Sequence, residues 1–166
     1  VNHGGGPLPL LGKQPDIVQH MKDILTHHLS PTNERPKSII VISAHWETSL
    51  PIQITSSPHP TMYYDYNGFP AETYQYKYNA PGSPKLASKV QHLLQNNGID
   101  CELNETRGYD HGVFVPLMIM YPEVRSCVFI WHIKKYNFHR YYDICVFRMC
   151  VIKSAQITFR LRIMSR

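Results

Sequence analysis

Apolar residues recur at helical spacing over 16–29, where Ile17, Met21, Ile24, Leu25 and His28 or Leu29 share one side. The spacing predicts an amphipathic helix with a single buried face, ended by Pro31 and Pro36. The period then changes. Ser38 to Ala44 is short, continuous and β-branched, which predicts a strand buried on both faces with His45 directly after it. Ile52-Gln53-Ile54-Thr55 alternates and predicts a second strand. Ser83-Pro84 offers an N-cap and a first-turn proline ahead of Leu86, Val90, Leu93 and Leu94, with Asn97-Gly98 as the stop. Ile99 to Leu103 predicts a short strand. Val113 to Tyr121 is apolar almost throughout and predicts a buried helix with Pro116 in its first turn. Alternating strands and helices predict an α/β fold: three layers, with a mostly parallel or mixed central sheet flanked by helices, incomplete at both ends.

Two stretches lack such periodicity. Residues 56–82 carry Tyr63, Tyr64, Tyr66, Phe69, Tyr74, Tyr76 and Tyr78 between prolines and glycines. So many aromatic side chains predict a packed lid rather than a disordered loop, and the segment's net acidity argues against a base-stacking platform. After Glu123, Val128 to Trp131 predicts one more strand, and Ile144 to Phe147 and Ile157 to Leu161 are strand-like, but no turn residues separate them.

Composition sharpens that second boundary. All 9 glycines and all 13 prolines lie in residues 1–123, as do 8 of the 17 Lys/Arg and 11 of the 12 Asp/Glu. At average usage about five Gly or Pro are expected in the remaining 43 residues; there are none. The formal charge of +5 therefore splits into a net acidic 1–123 and a strongly basic 124–166. The chain is expected to comprise a partial domain over 1–123 and an atypical basic tail over 124–166, the latter an aberrant C-terminus such as intron read-through or a frame error. Cys101, Cys127, Cys145 and Cys150 form no Cys-x-x-Cys pair, which argues against a structural zinc knuckle. With no signal-like or membrane-spanning run, reduced thiols and a cytoplasmic location are expected.

Three histidines stand in distinctive settings: His3 opens Gly4-Gly5-Gly6, His45 follows the buried strand, and His111 precedes Gly112 and a helix. Ligands gather at the carboxyl ends of strands in such sheets, and neutral imidazole suits iron(II) or zinc, so two histidines plus a third donor would make a metal site. His111 is placed to act as acid or base, and Asp110 beside it is a candidate to orient its ring. Trp46 and Glu47 could shape the wall or support the ligands. His20, His27, His28, His59 and His92 read as solvated or packing residues, and Glu102 and Glu105 as solvated charges.

These motifs, with Asp65-Tyr-Asn-Gly-Phe-Pro70, Tyr78-Asn-Ala-Pro-Gly-Ser-Pro84 and Gly108-Tyr-Asp-His-Gly112, resemble the class III extradiol ring-cleavage dioxygenases, specifically the branch similar to 4,5-DOPA extradiol dioxygenases. The resemblance covers residues 1 to about 123 and implies a partial catalytic domain, this chain being a truncated and inactive form of the enzyme. It implies an enzyme that opens a catechol-type ring with O2, with one iron(II) or zinc(II) ion per subunit. It implies His3 and His45 as the first two metal ligands, His111 as the acid/base, and Trp46, Tyr64 and Phe69 as pocket candidates. No nucleic-acid or membrane partner is implied. A remaining ligand belongs to a later part of the family's chain, and neither His132 nor His139 aligns with it. The alternative is a non-catalytic, metal-binding remnant of the same fold. A nucleic-acid or membrane-surface binder working through the basic tail lacks a basic helix face or an RNA-binding motif. The strand at 38–44 is expected to lack neighbours, and its exposed edges to make the chain poorly soluble.

Overall fold

The computed structural model describes residues 2–29, 36–48, 51–123, 127–134 and 148–152; for 28, 29, 48, 127–134 and 148–152 it describes the backbone course only. The strands are β1 (Ser38–Thr48), β2 (Ile52–Thr55), β3 (Cys101–Asn104), β4 (Cys127–Lys134) and β5 (Arg148–Ile152). The helices are α1 (Pro15–Ile24), continued by a π-helical turn over Leu25–Leu29, α2 (Pro84–Gln95) and α3 (His111–Met120). The strands form one mixed sheet in the order β3-β2-β4-β1-β5. β1 runs parallel to β4 and β2 parallel to β3, while β2–β4 and β1–β5 are antiparallel.

The β-branched run of β1 sends alternate side chains to opposite faces, and each face meets its own helical layer. Ile39 and Val41 pack with Met21 of α1 and with Val113, Phe114 and Leu117 of α3. Ile40 packs on the other side with Ile54 and with Ala87, Val90 and Leu94 of α2. The result is the expected three-layer α/β arrangement. Burying each Val, Leu or Ile of these clusters contributes roughly 1.5–3 kcal/mol before chain entropy is set against it. α2 begins as the sequence predicts: Ser83 Oγ accepts from the Leu86 N–H at 3.3 Å, with Pro84 at the first position. Gly98 takes φ +73° at its far end, the left-handed conformation that suits glycine. Among the described residues, no helix is long and apolar enough to cross a membrane.

Several expectations need correction. The strand at 38–44 does not lack neighbours, because β4 flanks it on one side and β5 on the other. The poor solubility inferred from bare edges loses that basis. The partners come from residues after Glu123, where Val128, Phe129, Ile130 and Trp131 have the composition a central strand needs. β1 also runs past His45 to Thr48 rather than ending before it. Its register against β4 jumps there: Ser43 pairs with His132, and the next pair is Glu47 with Ile133. Ala44, His45 and Trp46 therefore bulge from the ladder. α3 starts at His111, so Pro116 lies inside the helix instead of in its first turn. The Asp110 carbonyl accepts from the N–H groups of Val113 and Phe114, both at 2.9 Å, and this opens the helix early. The segments Ile144–Phe147 and Ile157–Leu161, and His139, lie outside the described residues.

Candidate metal centre

Three pieces of chain bring the three histidines together. His3 is carried by the glycine loop, where Gly4 and Gly6 adopt φ of +78° and +56°. At these angles an L side chain is strained. The Gly5 N–H donates to Gln14 Oε1 at 3.0 Å, fastening the loop to the start of α1. His45 is turned out of the sheet by the bulge in β1, a common device for aiming a side chain beside a site. His111 sits at the first position of α3. Gly112 lets His45 approach: a Cβ there would lie 2.5 Å from His45 Cδ2.

The rings are crowded. His3 Nε2 and His45 Nε2 stand 2.9 Å apart. The ring centres of His45 and His111 are 4.0 Å apart, and those of His3 and His111 5.0 Å. One nitrogen from each of the three falls within 4.8 Å of the others. His3 is almost wholly buried, and its pKa is lowered to about 4 by burial first, then by the positive charges that His111 and His45 can carry. Burial, again with His111 second, lowers that of His45. These two imidazoles are therefore neutral near pH 7, the form that ligates metals.

The donor set fits a divalent cation. Nitrogens bound at about 2.1 Å to one ion at angles from right-angled to tetrahedral lie about 3.0–3.4 Å apart, close to the His3–His45 spacing. Among the described residues, buried His3 Nδ1 has no hydrogen-bond partner. All-nitrogen donors suit zinc or iron(II) better than magnesium or calcium.

Asp65 braces the cluster. Its Oδ1 accepts from the His111 backbone N–H at 2.9 Å and lies 2.8 Å from His111 Nδ1, while Oδ2 lies 3.8 Å from His45 Nδ1. Burial alone would push the Asp65 carboxyl up, but the hydrogen bonds from the His111 ring and backbone outweigh it and hold the group below the usual carboxylate range. The loop around Asp65 is strapped in place by Tyr109, whose N–H donates to the Thr61 carbonyl and whose carbonyl accepts from the Tyr63 N–H, both at 2.8 Å.

Asp110 does not orient the His111 ring. It is fully buried and committed elsewhere: Oδ1 accepts from Ser43 Oγ at 2.8 Å, and Oδ2 pairs with Arg107 Nη2 at 3.1 Å. Burial raises its pKa, against the Ser43 hydrogen bond. The same Arg107 nitrogen donates to the His45 carbonyl at 3.3 Å, so this pair clamps the bulge to the turn before α3. The Arg107 guanidinium lies 5.2 Å from the Trp46 ring centre and 4.3 Å from that of Tyr63.

The other candidate residues divide. Trp46 is buried in the core cluster beneath Arg107. Phe69 packs against the glycine loop, within 3.0 Å of where a Gly6 Cβ would stand. Tyr64 packs on Phe114, and its hydroxyl donates to the Tyr76 carbonyl at 2.6 Å. Tyr66, not singled out from sequence, is the tyrosine beside the centre, its ring 5.8 Å from that of His111. Glu47 is exposed, as are His20, His27, His59, His92, Glu102 and Glu105. Asp65 and Arg107 were also missed as site residues. Asp65 stands in a quoted motif, and a carboxylate held among tyrosines in a long loop was the available signal.

Known proteins bear on this geometry. The 4,5-DOPA dioxygenase extradiol of Mirabilis jalapa is 41% identical over 123 residues, covering 74% of this chain and 44% of its own. The protein of the same name from Beta vulgaris is 51% identical over 92 residues, covering 55% and 34%. Dioxygenase tasH of Hapsidospora irregularis is 36% identical over 167 residues, covering 98% and 46%. The chain thus spans less than half the length of these curated relatives. The sequence model of the family described as the catalytic LigB subunit of aromatic ring-opening dioxygenase matches residues 8–146, a span that holds His45, Asp65 and His111, begins just after His3 and passes the compositional break at Glu123. The chain belongs to this LigB family of aromatic ring-opening dioxygenase catalytic subunits.

Proposed function

We propose that the His3–His45–His111 cluster is the metal centre of a cytoplasmic extradiol dioxygenase that opens a catechol-type ring with O2. The observation that carries this reading is the convergence of three imidazoles within 4.8 Å beside a bracing carboxylate. His3 and His45 would hold one iron(II) or zinc(II) ion through nitrogens already in the neutral, ligating form. Iron(II) or zinc(II) held there would supply Lewis acidity that lowers the pKa of a catechol hydroxyl, and iron(II) would add the redox chemistry that O2 requires. His111 takes the hydroxyl proton and later returns it, the role of a positioned general base and acid. Phe69, Trp46 and Tyr64 would be the pocket residues around the centre, with Tyr66 beside His111. The names of the relatives point to DOPA as the first substrate to try.

One observation favours the second reading, a non-catalytic metal-binding remnant. A histidine paired with a carboxylate is also the usual form of a metal ligand, so His111 could complete a three-histidine set with no base left over. The two readings separate by experiment. Oxygen uptake with DOPA or protocatechuate and added iron(II) is expected, and is expected to vanish in His45→Ala together with at least about a hundredfold of metal affinity. Under the first reading, His111→Ala keeps its metal and loses turnover. Tight metal binding without oxygen uptake, lost in His111→Ala, would establish the second.

A further inference from the structure

Asp65 makes the most specific contact in the centre that the proposed chemistry has not yet used. One carboxylate oxygen meets both the backbone N–H and the ring Nδ1 of His111, at 2.9 and 2.8 Å. A carboxylate offers only lone pairs, so the ring nitrogen facing it must carry the proton. The backbone contact fixes that oxygen to the first residue of α3, and the strap to Tyr109 fixes the loop behind it. Among the described residues the other carboxylate beside the centre, Asp110, is spent on Ser43 and Arg107. We propose that Asp65 is the positioning residue for His111: it holds the ring as the Nδ1–H tautomer and so keeps the lone pair on Nε2 for the substrate's proton. The second oxygen, 3.8 Å from His45 Nδ1, lets the same carboxylate favour the matching tautomer of His45, whose Nε2 faces His3.

This inference rests on reading His111 as the proton handler, but its first test does not need turnover. In the metal-free, 15N-labelled chain at pH 8, long-range 15N–1H spectra report which ring nitrogen is protonated. His111 is expected to be the Nδ1–H form in the wild type, and to move to the Nε2–H form that a free histidine side chain prefers in Asp65→Ala. Asp65→Asn, which keeps the size but can also donate, is expected to give a mixture and serves if the alanine variant does not fold. Asp65→Glu is expected to restore the wild-type signal in part. In the turnover arm, Asp65→Asn is expected to lower kcat by roughly a hundredfold or more, with KM moving less than about threefold. The Nδ1–H form persisting in both Asp65→Ala and Asp65→Asn, or an Nε2–H wild type, overturns the proposal. So does a loss of metal from Asp65→Asn equal to that of His45→Ala, which would make Asp65 a support for the ion. A wild type with the Nδ1–H form but no oxygen uptake instead removes the dioxygenase reading and leaves the tautomer assignment standing.

Discussion

The two faces of the sheet are built on different principles. The α2 face is held by Ile40, Ile54, Ala87, Val90 and Leu94, with no buried ionised group among them. The α3 face carries a comparable apolar cluster, but its rim holds three crowded imidazoles, with Asp65 hydrogen-bonded to His111 and Asp110 paired with Arg107. The first face can absorb a lost methyl group by relaxing. On the second, Asp110 serves Ser43 and Arg107 and Asp65 serves His111, so deleting either carboxylate strands its partners where water is scarce. Stability alone would favour the simpler arrangement, and the polar rim is where the proposed chemistry resides.

That contrast can be broken or sharpened by perturbing each side. The largest loss of stability is expected from Asp110→Ala, which leaves Arg107 and Ser43 without their shared acceptor: about 3–5 kcal/mol by denaturant titration, as for other broken buried pairs. A loss below about 1 kcal/mol would show the clamp to be dispensable. Next comes Leu94→Ala on the α2 face, expected to cost about 2–5 kcal/mol while leaving metal content unchanged. Metal loss there would mean that the faces are coupled.

Acid exposes a third difference. The folded-state pKa of His3 is about 4 against 6.5 for the free side chain, so between these values the unfolded chain binds a proton that the folded chain does not. The stability this group contributes is complete above pH 6.5 and is lost as pH falls toward 4, up to about 3 kcal/mol. Asp110, whose pKa is raised, works in the opposite direction, so the comparison should be made against His3→Gln. The metal-free wild type should lose more stability over this interval than the variant; parallel curves would contradict the assignment. The smallest effect is expected from Ser83→Ala, which removes the α2 cap and should lower stability by about 1 kcal/mol with no effect at the centre.

The α2 face was legible because its information is local. Ser83-Pro84, the spacing of Leu86, Val90 and Leu94, and Asn97-Gly98 state a helix within a few residues of one another. The positions of His3, His45 and His111 were legible as punctuation around glycines and a strand. What they touch was not. Asp65 reaches His111 across 46 residues of sequence, through a loop with no period to read. Asp110, adjacent to His111, turns away from it because Ser43 and Arg107 compete for the carboxylate. Of the neighbours of β1, Val128 to Trp131 was legible as a strand, but its place beside β1 and the bounds of β5 were not, because turn residues are the usual markers between strands and residues after Glu123 contain no Gly or Pro.

The tyrosine segment carries a consequence for how the chain meets a protease. Three of its hydroxyls end on carbonyls of the same segment: Tyr64 on Tyr76, Tyr66 on Thr73, and Tyr74 on Tyr66. A peptidase must draw a stretch of backbone into extended form, and here those carbonyls are already engaged and the rings packed edge-to-face or tilted on one another. Absence of regular secondary structure is therefore a poor guide to cleavage in this stretch. Limited digestion should spare residues 63–78 until the aromatic cluster itself comes apart.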